Sequence, residues 1–429
     1  MAKINTQPPR GTRDFFPEDL RLRTWLFDIW RETARRFGFE EVDAPILEHA
    51  ELYMRKAGEE IVDQLYHFEL HDRHLALRSE FTPSLARMVM ARQGALRWPI
   101  RWFGIPQCWR YERMTRGRRR EHYQWNMDVW GEPGVAAEAE LINAAFSAMD
   151  AMGLGAGDVR MRVNSRALLE ETLRERFLGD RPEAFEPLCV VIDKLDKIGA
   201  DAVVDQLADP DGAIRLPKPD ALDVVALLQV GGLEEARKSA PAGSAALADL
   251  ERLFALLEAY DIADRVVFDA SVVRGLAYYT GIVFEAFDTG GKLRAVCGGG
   301  RYDRLIESLG GKPVSAVGFG FGDAVIAELL DEKGLLPELP RTLDAVIFPF
   351  GDAERPRAQA LASSLRRSGQ SVELVLGQMK PKRALADADR AGAERIYLIG
   401  PDELSRGVAR VRELRTGEER DEPLPEGPA

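Results

Sequence analysis

Six arginines, Arg110, Arg113, Arg116, Arg118, Arg119 and Arg120, fall within eleven residues of one segment, with Gly117 among them. Guanidinium groups present planar forks of donors that match phosphate oxygens two at a time. A glycine in such a run lets the backbone bend around a nucleotide. The plain alternative is a charged, solvated hairpin tip, since basic runs are common on surfaces. The residues that follow weigh against it. Read with period two, Tyr123, Trp125, Met127 and Val129 fall on one face of a strand, and Gln124, Asn126 and Asp128 on the other. The apolar row belongs to a core. The polar row offers two amides and a carboxylate in line, a set suited to a small polar ligand. Arg110 and Glu112 share a parity on the preceding strand and are expected beside that row. A phosphate site and a polar-ligand site therefore share one candidate hairpin, residues 101–112 and 121–131.

Other candidate chemistry is thinner. The three cysteines, Cys108, Cys189 and Cys297, have no metal-like or redox-like spacing, and one is left over from any pairing. That reads as a reducing, cytoplasmic setting without structural zinc. Of the five histidines, His67, His71 and His74 surround a turn without the spacing of metal ligands. His49 reads as structural, and only His122, beside the arginines, reads as part of a site.

Elements must hold these residues in place. Residues 20–38 have amphipathic helical spacing, with Leu22, Trp25, Leu26, Ile29, Trp30 and Phe37 near one face. A strand at 39–46 ends at Pro45. Strands at 65–69 and 75–78 flank a polar turn. Thr82-Pro83 opens a helix to about 92. Helical signals at 135–152 follow the hairpin. Residues 166–262 are rich in Ala, Leu, Asp and Glu at helical spacing and read as an inserted helical domain. Strand signals return at 266–287, with Gly-rich connections at 290–300 and a helix at 301–309. A strand at 314–322 leads into a helix at 323–333. Prolines cluster at 334–342, after which strand and helix alternate as in a small, mostly parallel α/β domain. The tail from 418 is charged, Pro-rich and expected to be disordered.

The chain has 429 residues, enough for two or three domains. A formal net charge of −12 excludes a sequence-blind, basic nucleic-acid binder but not a local basic patch. The N-terminus lacks the apolar core of a signal peptide. No apolar run approaches a membrane span.

Several segments, in order, resemble one family. WRYERMTRGRRREHYQWNMDVWG (109–131) is similar to motif 2 of class II aminoacyl-tRNA synthetases in the form that histidyl-tRNA synthetases use. PRGTRDFFPED (9–19), LRSEFTPSLARM (77–88), VVRGLAYYTGIVFEAF (272–287), GGGRYDRLIESLGG (298–311) and PVSAVGFGFGD (313–323) resemble further family segments, and KPKRALADADRAGAERIYLIG with a late RTGEE resembles the family's anticodon-binding domain.

The resemblance implies an α+β catalytic domain, an antiparallel sheet with helices, at 1–165 and 263–333. It implies a helical insertion at 166–262, an α/β anticodon-binding domain at 342–417 and a disordered tail at 418–429. The implied activity is ATP-dependent ligation of L-histidine to tRNA(His) through a histidyl-adenylate, with Mg²⁺, in a cytoplasmic homodimer without a membrane anchor. The 20–45 segment takes the place of motif 1 at the dimer interface. Glu80 and Thr82, with Phe81 and Gln124 alongside, match positions around the histidine α-ammonium. Asp128 and Tyr279 match those that read the imidazole, and Tyr278 and Tyr302 match other pocket positions. Arg110, Glu112, Arg118, Arg120 and His122 fall on the ATP side. Arg274 and Arg110 match the pair that stands at the α-phosphate and would be catalytic.

The chain departs from the family pattern at Ala277, at Phe81 and in motif 3, where Asp323, Ala324 and Val325 stand and no arginine does. Arg301 and Arg304 are candidates to replace it. The competing reading is a non-catalytic, synthetase-like regulatory subunit of histidine biosynthesis. The retained hairpin arginines and C-terminal domain count against it.

Overall fold

In the computed structural model the described residues are 4–54, 63–229, 231–273, 278–291 and 293–425. They fall into two units, Met1–Leu336 and Pro337–Ala429.

Pro17 and the acidic pair Glu18 and Asp19 open a helix, Pro17–Arg36, with the fixed φ and the charge that a helix N-terminus favours. It buries Leu26, Trp30, Thr33 and Ala34 against a sheet. The expected strand at 39–46 is reduced to β1 (Glu40–Glu41). A three-stranded sheet follows, β2 (Leu47–His49), β4 (Arg73–Leu77) and β3 (His67–Leu70), in that order.

The main sheet is built from β5 (Ile100–Gly104), β6 (Gln107–Trp109), β7 (Glu121–Trp130), β8 (Val159–Ser165), β9 (Val266–Phe268), β10 (Ile282–Asp288), β11 (Cys297–Arg301) and β12 (Ala316–Gly322). Its order is β1-β5-β7-β12-β11-β10-β8-β9, with β6 on the outer end of β7. The central pairings are antiparallel, and β1–β5 and β8–β9 are parallel. One expectation fails here. Residues 297–300 are not part of a connection; Cys-Gly-Gly-Gly-Arg forms a fully buried strand between β10 and β12.

Strand parity sorts the sheet into two faces. Trp125, Met127 and Val129 of β7 lie opposite Phe321, Phe319 and Val317 of β12, and all six are buried. Each such side chain contributes roughly 1.5–3 kcal/mol on burial. The helix Ala136–Ala151 and the helix Pro17–Arg36 cover this face.

Residues 166–262 are helical, as expected, and carry a core of their own around Leu188, Val203 and Val224. The last long helix of this stretch, Ala245–Ala259, instead packs into the main core through Leu250, Leu253 and Leu257. Packing thus ends the separate helical body before residue 245, earlier than the composition suggests.

The second unit carries β13 (Leu343–Pro349), β14 (Val372–Leu374), β15 (Ala393–Ile399), β16 (Val408–Glu413) and β17 (Glu419–Pro423), in the order β14-β13-β15-β16-β17. The first three are parallel and the last two antiparallel. The tail expected to be disordered from 418 is therefore corrected over 419–423. Arg410 and Arg412 face Asp421 and Glu419 across the pair, so the charges that suggested disorder are cross-strand partners. Residues 426–429 lie outside the described set. Among the described residues no helix is long and apolar enough to cross a membrane.

Candidate active site

The second face of the sheet has a floor of glycine. Gly318 stands opposite Asp128, Gly320 opposite Asn126 and Gly322 opposite Gln124. On the other side of β12, Gly300 pairs with Gly318 and Gly298 with Gly320. The space is used. A Cβ at Gly318 would lie 2.2 Å from Asp128 Oδ1, one at Gly320 would lie 1.6 Å from Gln124 Nε2, and one at Gly300 would lie 2.9 Å from the Tyr279 ring. Gly318 and Gly320 of GFGFG are thus small because Asp128 and Gln124 of the neighbouring strand lie across them, whereas Gly322 faces open space.

At one end of this floor is a polar pocket walled by tyrosines. Tyr302 donates a short hydrogen bond to Asp128 Oδ1, and Tyr278 donates to Glu80 Oε2 at 2.9 Å. The Tyr278 ring lies 5.2 Å from that of Tyr279 and 5.8 Å from that of Tyr302, the latter edge-on. Thr82 begins the helix Thr82–Arg92 and places Glu80 just before it. Asp128 is 1% exposed, and its Oδ2 has no hydrogen-bond partner. Asn126 Oδ1 and Ser79 Oγ are buried and unpartnered as well. Buried polar atoms are almost always satisfied, so the open Asp128 and Asn126 oxygens on the polar row of β7 mark a place for a polar ligand. Burial raises the Asp128 carboxyl to about 7, against the Tyr302 hydrogen bond and with a smaller push from Glu80.

At the other end is a 220 Å³ cavity lined by Arg110, Arg118, Arg119 and Arg294, with Glu112 and Glu285 among the remaining wall residues. Four guanidinium groups against two carboxylates leave it cationic. Arg110 is aimed by its Nε–H, which donates to the Ser79 carbonyl at 2.9 Å. Glu112 is buried and pairs closely with Arg118. His122 lines the same wall and meets Gln124 Oε1 at 3.3 Å. Burial, and then Arg110, lower the imidazole to about 3, so His122 is neutral at pH 7 and acts as a hydrogen-bonding group. Gln124 lines the cavity while sharing a face with Asp128, and so joins the two ends.

Not every expected residue comes to the site. Phe81 has a fully buried side chain packed behind the pocket, within van der Waals reach of Gly104 and under the Arg78 guanidinium at 5.4 Å. Arg120 turns away from the cavity and stacks on Tyr111 at 3.7 Å. Arg301 does not stand in for a nucleotide arginine. It is buried and forked onto both oxygens of Glu138 at 2.7 Å, a structural pair. Arg304 lines a separate cavity beside Tyr278 and Thr280. His67 and His74 meet each other at 2.9 Å across the β3–β4 turn. Arg274 lies outside the described residues. The backbone leading to it is held by Asn164, whose amide donates to the carbonyls of Ala270 and Val272 at 3.0 and 3.1 Å.

Arg119 stands among the six hairpin arginines that the sequence marks, whereas Glu285 and Arg294 are not legible there as site residues. Those two sit on segments whose register a single sequence does not show. Parity from the GFGFG alternation would have found the floor.

An antiparallel sheet whose polar face joins a polar, tyrosine-walled pocket to a cationic cavity is the catalytic architecture of a class II aminoacyl-tRNA synthetase. The histidyl-tRNA synthetase family model matches residues 11–322, and that of an anticodon binding domain matches 344–426. The chain belongs to the histidyl-tRNA synthetase family. It is 48% identical, over 97% of its length and 85% of theirs, to the chloroplastic/mitochondrial histidine–tRNA ligase of Arabidopsis thaliana. It is 40% identical, over 99% of its length and 97% of the relative's, to the histidine–tRNA ligase of Opitutus terrae. In fold it resembles the crystal structure of histidyl-tRNA synthetase from Nostoc sp. PCC 7120, with a TM-score of 0.77 over 98% of this chain and 97% of that one at 23% identity.

Proposed function

We propose that the chain joins L-histidine to tRNA(His) at the expense of ATP, through a histidyl-adenylate, releasing pyrophosphate and then AMP. The observation that carries this reading is that one strand, β7, serves both half-sites. Asp128, with its open buried oxygen, stands at one end and Gln124, on the cationic cavity, at the other. Four residues of strand cover about 13 Å, the scale of an extended amino acid followed by one phosphoryl group.

Asp128 accepts the imidazole N–H, and Tyr302 fixes the carboxylate that does so. Glu80, with Thr82 and Gln124, holds the α-ammonium. The carboxylate of histidine then faces the α-phosphorus and attacks it in line as pyrophosphate leaves. Arg110 stabilises the charge that develops on the phosphoryl oxygens, and Arg274 is proposed opposite it. Arg118, Arg119, Arg294, Glu112 and the neutral His122 hold the rest of the nucleotide; Arg120 supports the hairpin from outside. A ribose hydroxyl at the tRNA 3′ end attacks the adenylate carbonyl, and AMP leaves. No protein nucleophile takes part, so rate enhancement comes from positioning and charge.

Mg²⁺ fits as a passenger of the phosphates. Such an ion needs only one or two carboxylates from the protein, and Glu112 and Glu285 on the cavity wall would be the ones to hold it. When bound, it neutralises the departing pyrophosphate. A homodimer is proposed through the 20–45 segment that resembles motif 1, with Ile46, Leu47, Phe68 and Leu70, each more than two-fifths exposed, offering further apolar surface. The proposed setting is the cytoplasm, in keeping with three buried free thiols.

The test is histidine-dependent exchange of pyrophosphate into ATP, followed by charging of purified tRNA(His). Absence of exchange with histidine, ATP and Mg²⁺ present would turn the reading toward the non-catalytic regulatory subunit. Arg274→Ala is expected to slow exchange far more than it weakens histidine binding.

A further inference from the structure

The nucleotide cavity depends on a hairpin tip, and the tip is held from outside the cavity. Gly117 rests on Val325, to which a Cβ at Gly117 would approach within 3.2 Å. Val325 lies in the first turn of the helix Asp323–Lys333. The spacing between that helix and β7 therefore sets where Arg118 and Arg119 stand in the cavity.

Two ties span it: at the exposed tip Arg116 reaches Glu328 and Glu332 of the helix at 3.0 and 2.5 Å, and at the buried base a residue far away in sequence bridges the two elements. Arg13 Nε donates to Glu121 Oε1 at 2.8 Å, and its Nη2 donates to Asp323 Oδ2 at 2.8 Å. Glu121 opens β7 and Asp323 opens the helix. Their side chains are 1% and 5% exposed. The second oxygen of each is also used: Glu121 Oε2 accepts from Gln107 Nε2 at 3.1 Å, and Asp323 Oδ1 accepts the Tyr123 N–H at 3.0 Å. Two residues earlier, the Gly11 carbonyl accepts the Arg120 N–H at 3.0 Å. The N-terminal strap thus grips the hairpin stem and the helix start together. Arg13 does not line the 220 Å³ cavity.

We propose that Arg13 is a positioning residue for the nucleotide, whose fork onto Glu121 and Asp323 sets the hairpin tip over the phosphate-binding arginines' cavity. Removing it leaves two buried carboxylates facing each other without a cation. Losing one partner of a buried, hydrogen-bonded charge group is far more disruptive than losing an exposed pair. The strain falls between β7 and the helix, and so on Arg118 and Arg119. The histidine pocket, built on Asp128, Glu80 and the tyrosines, draws nothing from Arg13.

This inference rests on the cavity being the ATP site, and the experiment separates the two. Arg13→Met, Arg13→Lys and Asp323→Asn are compared with the wild type in pyrophosphate exchange, with KM measured for ATP and for histidine, and folding checked by thermal melting. The expected result is a KM for ATP raised about tenfold or more in Arg13→Met, with KM for histidine within about twofold. Arg13→Lys, which reaches only one carboxylate, should fall between. If Arg13→Met does not fold, the two milder variants carry the same comparison. An unchanged KM for ATP in folded variants, or both KM values rising together, overturns the positioning role. Wild-type protein without exchange instead rejects the ATP reading itself.

Discussion

Asp128 is asked to do two incompatible things. Ligand recognition wants it ionised, and burial against aromatic rings opposes ionisation, lifting its carboxyl from 3.8 to about 7. The folded state therefore holds a proton that the unfolded chain releases between those values. Stability from this group is present below the unfolded pKa and is lost as pH rises through about 7. Asp128→Asn removes that loss. Its melting temperature should exceed that of the ligand-free wild type at pH 8, with the difference shrinking toward pH 5. The same variant should lower kcat/KM for histidine by about a hundredfold or more, because a site that pairs a polar ligand rejects a mismatched partner strongly. A variant that melts lower at pH 8 than at pH 5 relative to wild type would contradict the assignment of the raised carboxyl. Bound histidine shares the proton. Pocket and imidazole together hold one near neutrality, so kcat/KM for histidine is expected to be bell-shaped, falling as both groups protonate and again as both lose their protons. On the nucleotide side, Arg110→Ala should slow exchange by about a hundredfold, and Arg110→Lys should recover little, since a point charge does not reproduce the fork.

At the scale of elements, the glycines of β11 and β12 divide into two kinds. A Cβ at Gly299 would lie 2.2 Å from the Gly318 carbonyl, which is backbone and fixed in the sheet. A Cβ at Gly320 would meet the end of the Gln124 side chain, which can swing away. Gly299→Ala should therefore destabilise the fold itself, whereas Gly320→Ala should fold and raise KM for histidine and ATP together by displacing Gln124. Melting curves beside exchange kinetics distinguish the two, and equal melting temperatures for both variants would refute this division. The same strands show what a single sequence reveals. The polar and apolar rows of β7 were legible, because period two needs no partner to be seen. Their partner was not. CGGGR lacks the β-branched and aromatic residues that signal a strand, and it pairs as one because Gly299 lies against the Gly318 carbonyl and Gly300 beneath Tyr279, where side chains would not fit. The tail hides its strand for a related reason. Arg410 and Asp421 look like solvated charge until antiparallel pairing sets them side by side. Arg301, a candidate for the nucleotide, was claimed by Glu138, a partner 163 positions away.

At the scale of the whole molecule, the two units have separate cores. The C-terminal one is centred on Ile347, Ala362 and Tyr397 on one face of its sheet, and on Phe348 and Ile396 on the other. Every residue placed at the histidine and ATP sites lies before Leu336. A chain ending after Leu336 is therefore expected to retain histidine-dependent exchange while its tRNA charging falls by at least about tenfold, the share of affinity carried by a second RNA contact. Exchange lost together with charging would show that the units are not independent in this way.

The place of β12 between β7 and β11 bears on how the molecule is made. Gln124 has no glycine floor until Gly320 and Gly322 have been synthesised, and the whole helical stretch comes in between. Pairing so distant in sequence is slow to nucleate. A nascent chain interrupted within the helical stretch already carries the arginine hairpin, with its polar row unpaired on that side. Such a fragment presents an open strand edge and a cluster of cations but no binding site. The ligands themselves are thus unavailable as folding aids until late in translation, and during that interval protection of the β7 edge must come from elsewhere in the chain or from the ribosome and chaperones.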